Sequence, residues 1–197
     1  FDAGDILQGS PYFNFYKGEV EFKLMSEMGY DAATIGNHEF DNGLQDFDRL
    51  LPYASFPFIC SNYDFTNTPL EGKTIPYKVF EKEGIKVGVF GLGIELDGLV
   101  NKRMYGNTVY LDPEQKAAEM SYLLKNEKNC DLVVCLSHLG YKYDSKKISD
   151  HIIAEKSKNI DIIIGGHTHT FLKEPLRYKN SDGKEILVCQ AGCYGVK

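Results

Sequence analysis

An α/β fold is predicted for this chain of 197 residues because short, near-continuously apolar runs rich in Val and Ile alternate with amphipathic stretches. The length suits one domain with one core. A further observation sets function on that frame: four of the five histidines directly follow an apolar run, and functional loops gather beyond the carboxyl ends of strands in such folds.

The elements follow in chain order. A strand-like start, Phe1-Asp2-Ala3, leads into the glycine-flanked loop Gly4-Asp5-Ile6-Leu7-Gln8-Gly9. Val20–Met28 carries apolar residues at helical spacing and stops at Gly29. Asp31–Ile35 reads as a strand and delivers Gly36-Asn37-His38-Glu39-Phe40-Asp41. Leu44–Leu51, between Asn42-Gly43 and Pro52, reads as a helix. Pro57–Ser61 and Ile85–Leu92 read as strands. Asp112–Asn126 opens with Asp-Pro, a capping residue and a first-turn proline, and reads as a helix. The strand Asp131–Ser137 delivers His138 into Ser137-His138-Leu139-Gly140. Ser145–Ser157 reads as a helix with Ser145 as its cap. The strand Ile160–Ile164 delivers Gly165-Gly166-His167-Thr168-His169. Leu176–Lys179 and Ile186–Gln190 flank the turn Asn180–Lys184 and read as an antiparallel hairpin added to the main sheet.

Composition excludes several classes. A formal charge of −6 with scattered lysines argues against a nucleic-acid polymer as partner, which needs a basic face. The nearest cluster, Lys142, Lys146 and Lys147, reads as a solvated helix end. No apolar run approaches the roughly 20 residues of a membrane-spanning helix. Five cysteines, Cys60, Cys130, Cys135, Cys189 and Cys193, make an odd count without a Cys-x-x-Cys pair. They read as small buried hydrophobes, with no disulfide framework and no thiolate metal site.

The residues that collect in the loops suit metal chemistry. Imidazoles, a carboxylate and an asparagine oxygen form a mixed N/O ligand set that fits Zn, Mn, Fe or Co, and a carboxylate can bridge two ions. Flanking glycines let backbone turn sharply and let ions and a phosphate come close. His151, inside a predicted helix, reads as an ordinary histidine.

Gly4-Asp5, Gly36–Glu39, the strand-terminal His138 and Gly166–His169 resemble the signature blocks of the calcineurin-like metallophosphoesterases. The extended forms, GDILQGSP (Gly4–Pro11), GNHEFDNG (Gly36–Gly43), SHLG and GGHTHT, are similar to the 5'-nucleotidase and cyclic-nucleotide phosphodiesterase branch. The resemblance spans Phe1 to about Thr170. It implies a four-layer αββα sandwich with mixed sheets and a metal site at the carboxyl ends of strands. It implies two divalent metal ions: Asp5 as the bridging carboxylate, Asn37, His138 and His167 completing one site, and His169 serving the other. Asn37 would also meet the phosphoryl group. His38 would be the general acid on the leaving oxygen, with Asp41 orienting its ring. The implied reaction is hydrolysis of a phosphate monoester, most readily a nucleoside 5'-monophosphate, by water activated between the ions. Cyclic-nucleotide or nucleotide-sugar hydrolysis is the alternative on the same core.

The family also carries an Asp-x-His pair upstream of the Gly-Asp block, and none of the four residues before Asp5 supplies it. Residues 1–197 are therefore read as a single domain lacking its first strand, and cut short at the C-terminus as well, so the His169 site lacks two ligands here. A periplasmic or extracellular location is implied by resemblance alone. Two rival classes fit less well. A degenerate binding module would be expected to lose His38 or a ligand, and every position within range is filled. A structural zinc site is usually closed and thiolate-rich.

Overall fold

The computed structural model describes residues 1–195. In chain order its elements are α1 (Pro11–Tyr16), α2 (Glu19–Glu27), α3 (Leu44–Leu50), β1 (Tyr63–Asp64), β2 (Tyr77–Lys82), β3 (Ile85–Leu92), α4 (Lys102–Tyr105) and β4 (Val109–Tyr110). Then come α5 (Pro113–Tyr122), β5 (Leu132–Ser137), α6 (Asp150–Lys156), β6 (Ile162–Gly165), β7 (Leu176–Lys179) and β8 (Glu185–Cys189). One six-stranded sheet runs in the order β2-β3-β5-β6-β8-β7. Its four central strands are parallel, and the edge strands β2 and β7 pair antiparallel.

Alternation along the strands builds two of the packing layers. Val133 and Cys135 of β5 face one side, with Phe90, Leu92, Leu124, Ile153, Ile163 and Val188. Val134 and Leu136 face the other, with Ala32, Ile59 and Val89. The first set packs under α5 and α6. The second packs against a narrow ladder in which Asp2, Ala33 and Phe58 bridge in parallel and Ile59 bridges Ile75. On the far side of that ladder lies an aromatic core, where Phe58 stacks on Phe22 at 5.3 Å and meets Phe47 edge-on at 5.0 Å. Helices α1 to α3 cover it. Helix, ladder, sheet and helix therefore form four layers, as the resemblance implies.

Several expectations need correction. Asp31–Ile35 and Pro57–Ser61 are extended but pair at single bridges instead of forming full strands. The ladder stops because Ser61 N–H leaves it to donate to the Gly91 carbonyl of β3, at 2.8 Å. The hydroxyl of Thr34 donates to the Ile59 carbonyl (2.8 Å), a bond that a backbone amide would otherwise make. Helix α6 begins at Asp150 with Ser149 as its cap residue, because Asp150 N–H and His151 N–H donate to the carbonyls of Gly140 and Tyr141. Ser145 instead closes a local turn by accepting from Lys147 N–H. The helix predicted to reach Asn126 ends as α-helix at Tyr122 and continues as one π turn, Leu123–Glu127. Five elements escaped the pattern: the short β1, α4 and β4, α1, capped by Ser10 ahead of Pro11, and β2, whose hairpin to β3 turns on Glu83 and Gly84, both at positive φ.

All the histidine-bearing loops leave one edge. The parallel strands β3, β5 and β6 end side by side, linked by His138 N–H to the Leu92 carbonyl (2.7 Å) and Gly166 N–H to the Ser137 carbonyl (2.8 Å). The ladder segments at Asp2 and Ala33 also run parallel to each other and continue into Gly4-Asp5 and Gly36–Glu39.

The contact between ladder and sheet is tightest at Gly91, where an added Cβ would lie 1.9 Å from the Ile59 carbonyl oxygen and 2.5 Å from Thr34 Oγ1. Gly91→Ala should destabilise the fold by about 1–3 kcal/mol or more. Phe15→Ala, at an exposed position on α1, should stay within about 0.5 kcal/mol. Urea midpoints of the two variants check this.

Candidate metal centre

The site is assembled from two backbone loops tied to one buried carboxylate. Glu39, almost fully buried, accepts from the backbone N–H of Gly36 (2.6 Å), Ile6 (2.8 Å) and Asp5 (3.0 Å), with a longer bond from Leu7 (3.4 Å). Burial, with the charge of Asp5, pushes the Glu39 carboxyl up to about 7. The amide donors act the other way and favour the carboxylate. The loops touch so closely that side chains are excluded: a Cβ on Gly4 would lie 2.6 Å from Gly36 N, and one on Gly36 would lie 2.3 Å from Asp5 Oδ1. Asp5, His167 and His169 all hold positive φ, at 62°, 67° and 52°. Strain of this kind collects at functional sites and persists only where surrounding structure enforces it.

Asp5 stands at the centre. Its Oδ1 accepts from His38 N–H at 2.8 Å, and its Oδ2 lies 2.9 Å from His138 Nε2. His138 is fully buried. Its Nδ1 sits 2.6 Å from the Ala3 carbonyl, an acceptor only, so Nδ1 carries a proton. Burial disfavours charge on the ring, but the Asp5 carboxylate that Nε2 faces outweighs it and raises the ring's pKa, favouring positive charge at that nitrogen. That Nε2 makes no hydrogen bond: it is close to the Asp5 carboxylate but off the angle a hydrogen bond requires. A buried lone pair facing a carboxylate is costly unless a cation or a proton lies between them.

His167 completes the group. Ligand atoms of Asp5, His138 and His167 all lie within 4.8 Å of one another. Burial, with the neighbouring His138, pushes the His167 ring down to about 4, so it stays neutral through the ordinary pH range, as ligation requires. Its Nδ1 lies 2.9 Å from Asn37 Oδ1, which places the carboxamide oxygen of Asn37 beside the group. The donor set of two imidazoles and one carboxylate fits a borderline divalent cation.

The remaining predicted residues take other places. His38 Nδ1 is 2.9 Å from Asp41 Oδ2 within one tight turn, with the two side chains 39% and 24% exposed. His169 stands outside the three-residue group, its ring edge-on to Tyr194 at 5.7 Å. Asp5, His38, His167, His169 and Tyr194 line one cleft of about 1050 Å³. The carboxamide oxygen of Asn37 is directed at the His167 ring. Sequence reasoning missed Glu39 and the Ala3 carbonyl. Glu39 lies inside a block already singled out, but nothing in its spacing shows that its carboxylate turns inward, and a backbone carbonyl leaves no mark on a sequence.

Known proteins resemble this chain along most of its length. A family model described as calcineurin-like phosphoesterase matches residues 1–171. The snake venom 5'-nucleotidase of Gloydius brevicauda is 34% identical over 98% of this chain and 34% of its own length. The trifunctional nucleotide phosphoesterase protein YfkN of Bacillus subtilis is 33% identical over 98% of this chain and 15% of its own length. The crystal structure of a 5'-nucleotidase precursor from Thermus thermophilus superposes with a TM-score of 0.88 at 33% identity, covering 97% of this chain and 39% of that one. The chain thus spans about a third of the length of the venom protein it matches.

Glu39→Gln would put an amide donor against the backbone N–H groups that now share the carboxylate. It should cost about 1–3 kcal/mol of stability, the penalty of unmet buried polar groups, read as a lower denaturant midpoint. A midpoint equal to that of the wild type would contradict the clamp.

Proposed function

The chain belongs to the calcineurin-like phosphoesterase family, and from that premise we propose that it is the catalytic part of a metal-dependent phosphohydrolase acting on nucleoside 5'-monophosphates. One observation carries this reading beyond likeness: the fully buried His138 Nε2, without a hydrogen bond and turned to the Asp5 carboxylate. A divalent cation satisfies both groups at once. Asp5, His138 and His167 are the residues that would hold it, with Asn37 beside them. Asp5 would also bridge to a second ion served by His169. Bound divalent ions supply an activated water near neutral pH and offset charge on the phosphoryl oxygens.

The chain's own residues do the rest. His138 directs Nε2 inward because the Ala3 carbonyl occupies Nδ1, and Asn37 Oδ1 lies 2.9 Å from His167 Nδ1, within reach of the same ion. His38 donates a proton to the leaving oxygen. Asp41, at 2.9 Å from Nδ1, fixes the ring and leaves Nε2 as the donor. Partial exposure at the cleft leaves His38 within reach of a substrate. With a net charge of −6, the chain depends on bound cations to receive an anionic substrate.

The nucleotide assignment is supported by the names of the relatives, 5'-nucleotidase for the venom and Thermus proteins. The Bacillus relative is named a nucleotide phosphoesterase with three functions, and cyclic nucleotides are the second substrate class to test. Among the described residues no helix is long and apolar enough to cross a membrane. Export is included in the reading because one relative is a venom protein and another is described as a precursor.

In the intact protein, His38→Asn should lower turnover of a nucleoside monophosphate by about 10²–10⁴-fold while bound metal is retained. Asp5→Ala should remove both activity and metal. Phosphate release and elemental analysis on the same samples check this, and loss of metal from His38→Asn would overturn the assigned role.

A further inference from the structure

A fully buried carboxyl group lies under the two histidine loops. Asp150, the first residue of α6, accepts at Oδ1 from the hydroxyl of Ser137, and the same Ser137 oxygen accepts from Leu139 N–H at 3.3 Å. These bonds grip the chain on both sides of His138. The opposite oxygen, Oδ2, faces β6: a Cβ on Gly165 would lie 2.1 Å from it, so only glycine lets the carboxyl fit two residues before His167. The Asp150 backbone is fixed as well, since its N–H donates to the Gly140 carbonyl at 2.8 Å. Gln190 seats the second loop from beside it, donating from Nε2 to the Gly166 carbonyl at 2.7 Å.

Oδ2 has no hydrogen-bond partner and is buried. A half-satisfied carboxyl group weakens a core, and an apolar side chain in its place would avoid that cost. Its presence here points to what Oδ1 and the bulk of the group supply. We propose that Asp150 is a positioning residue: clamped between Ser137 and Gly165, its carboxyl group sets the separation of the His138 and His167 loops and so the geometry of the cation site. The proposal rests on the reading that Asp5, His138 and His167 hold a divalent ion. Burial pushes the Asp150 carboxyl up to about 8, toward the acid form, of which an amide is the isostere. Asparagine keeps the acceptor for Ser137 and fills the space beside Gly165.

The test is Co²⁺ titration of the intact protein at neutral pH, read by visible absorption, for the wild type, Asp150→Ala, Asp150→Asn and Ser137→Ala. Asp150→Ala should bind Co²⁺ about 10–100-fold more weakly, as loss of an outer support does at metal sites, with a changed band shape. Asp150→Asn should restore both affinity and spectrum. Ser137→Ala removes the same hydrogen bond at little change in volume and should also weaken binding, so the proposal is decided even if Asp150→Ala fails to fold. Wild-type affinity in Ser137→Ala or in folded Asp150→Ala would overturn it, as would an Asp150→Asn variant no better than Asp150→Ala. A wild type that takes up no Co²⁺ would instead overturn the metal reading itself.

Discussion

The buried Glu39 carboxylate is the interaction on which the site depends. Its partners are backbone amides from two loops distant in sequence, Gly36 on one side and Asp5, Ile6 and Leu7 on the other. No backbone ladder joins these loops beyond the bridge at Asp2 and Ala33. The carboxylate takes over where the ladder ends. It fixes Asp5 in a left-handed conformation and brings the Asp5 side chain to the His38 amide and the His138 ring. Glycine at positions 4 and 36 makes the approach possible, because the space where side chains would stand is occupied by the opposing loop.

The layers beneath give this clamp something rigid to act on. Parallel strands β3, β5 and β6 end at one edge, so His138 and His167 emerge next to each other from a core of Val, Ile, Leu and Cys side chains. The His138 imidazole is then turned by the Ala3 carbonyl behind it, and the His167 ring is held beside Asn37 Oδ1. Orientation by outer partners is the usual way in which proteins prepare ligands before an ion arrives. Burial keeps the His167 ring neutral, which leaves its lone pair free for a cation.

Much of this was legible in the sequence, for physical reasons. Strands buried on both faces read as apolar runs, so Ile85–Leu92 coincides with the observed β3, and β5, β6 and β8 differ from their predicted ranges by no more than two residues at either end. Leu176–Lys179 coincides with the edge strand β7 because the turn at Asn180–Lys184 marks its end. The loops that follow β5 and β6 carry His138, His167 and His169, in keeping with where open α/β sheets place their sites. The His38–Asp41 pair was legible through the family resemblance, and three residues of spacing in one turn allow the contact that is observed. The ladder was overread, because apolar segments at Asp31–Ile35 and Pro57–Ser61 look like strands whether they pair along their length or at one residue. Edge strand β2 was missed because its polar residues face solvent and weaken the apolar pattern. The inward turns of Glu39 and Asp150 were invisible, since an acidic residue in a sequence reads as solvated until its partners are known.

The claim at the centre is that the unpaired nitrogen of His138 is a metal ligand. Crystals of the intact protein grown with Mn²⁺ and measured at an anomalous wavelength test it most directly. An anomalous peak within bonding distance of His138 Nε2, Asp5 Oδ2 and His167 is the predicted result. Absence of a peak there, with His138 Nε2 protonated and hydrogen-bonded to Asp5, would contradict it.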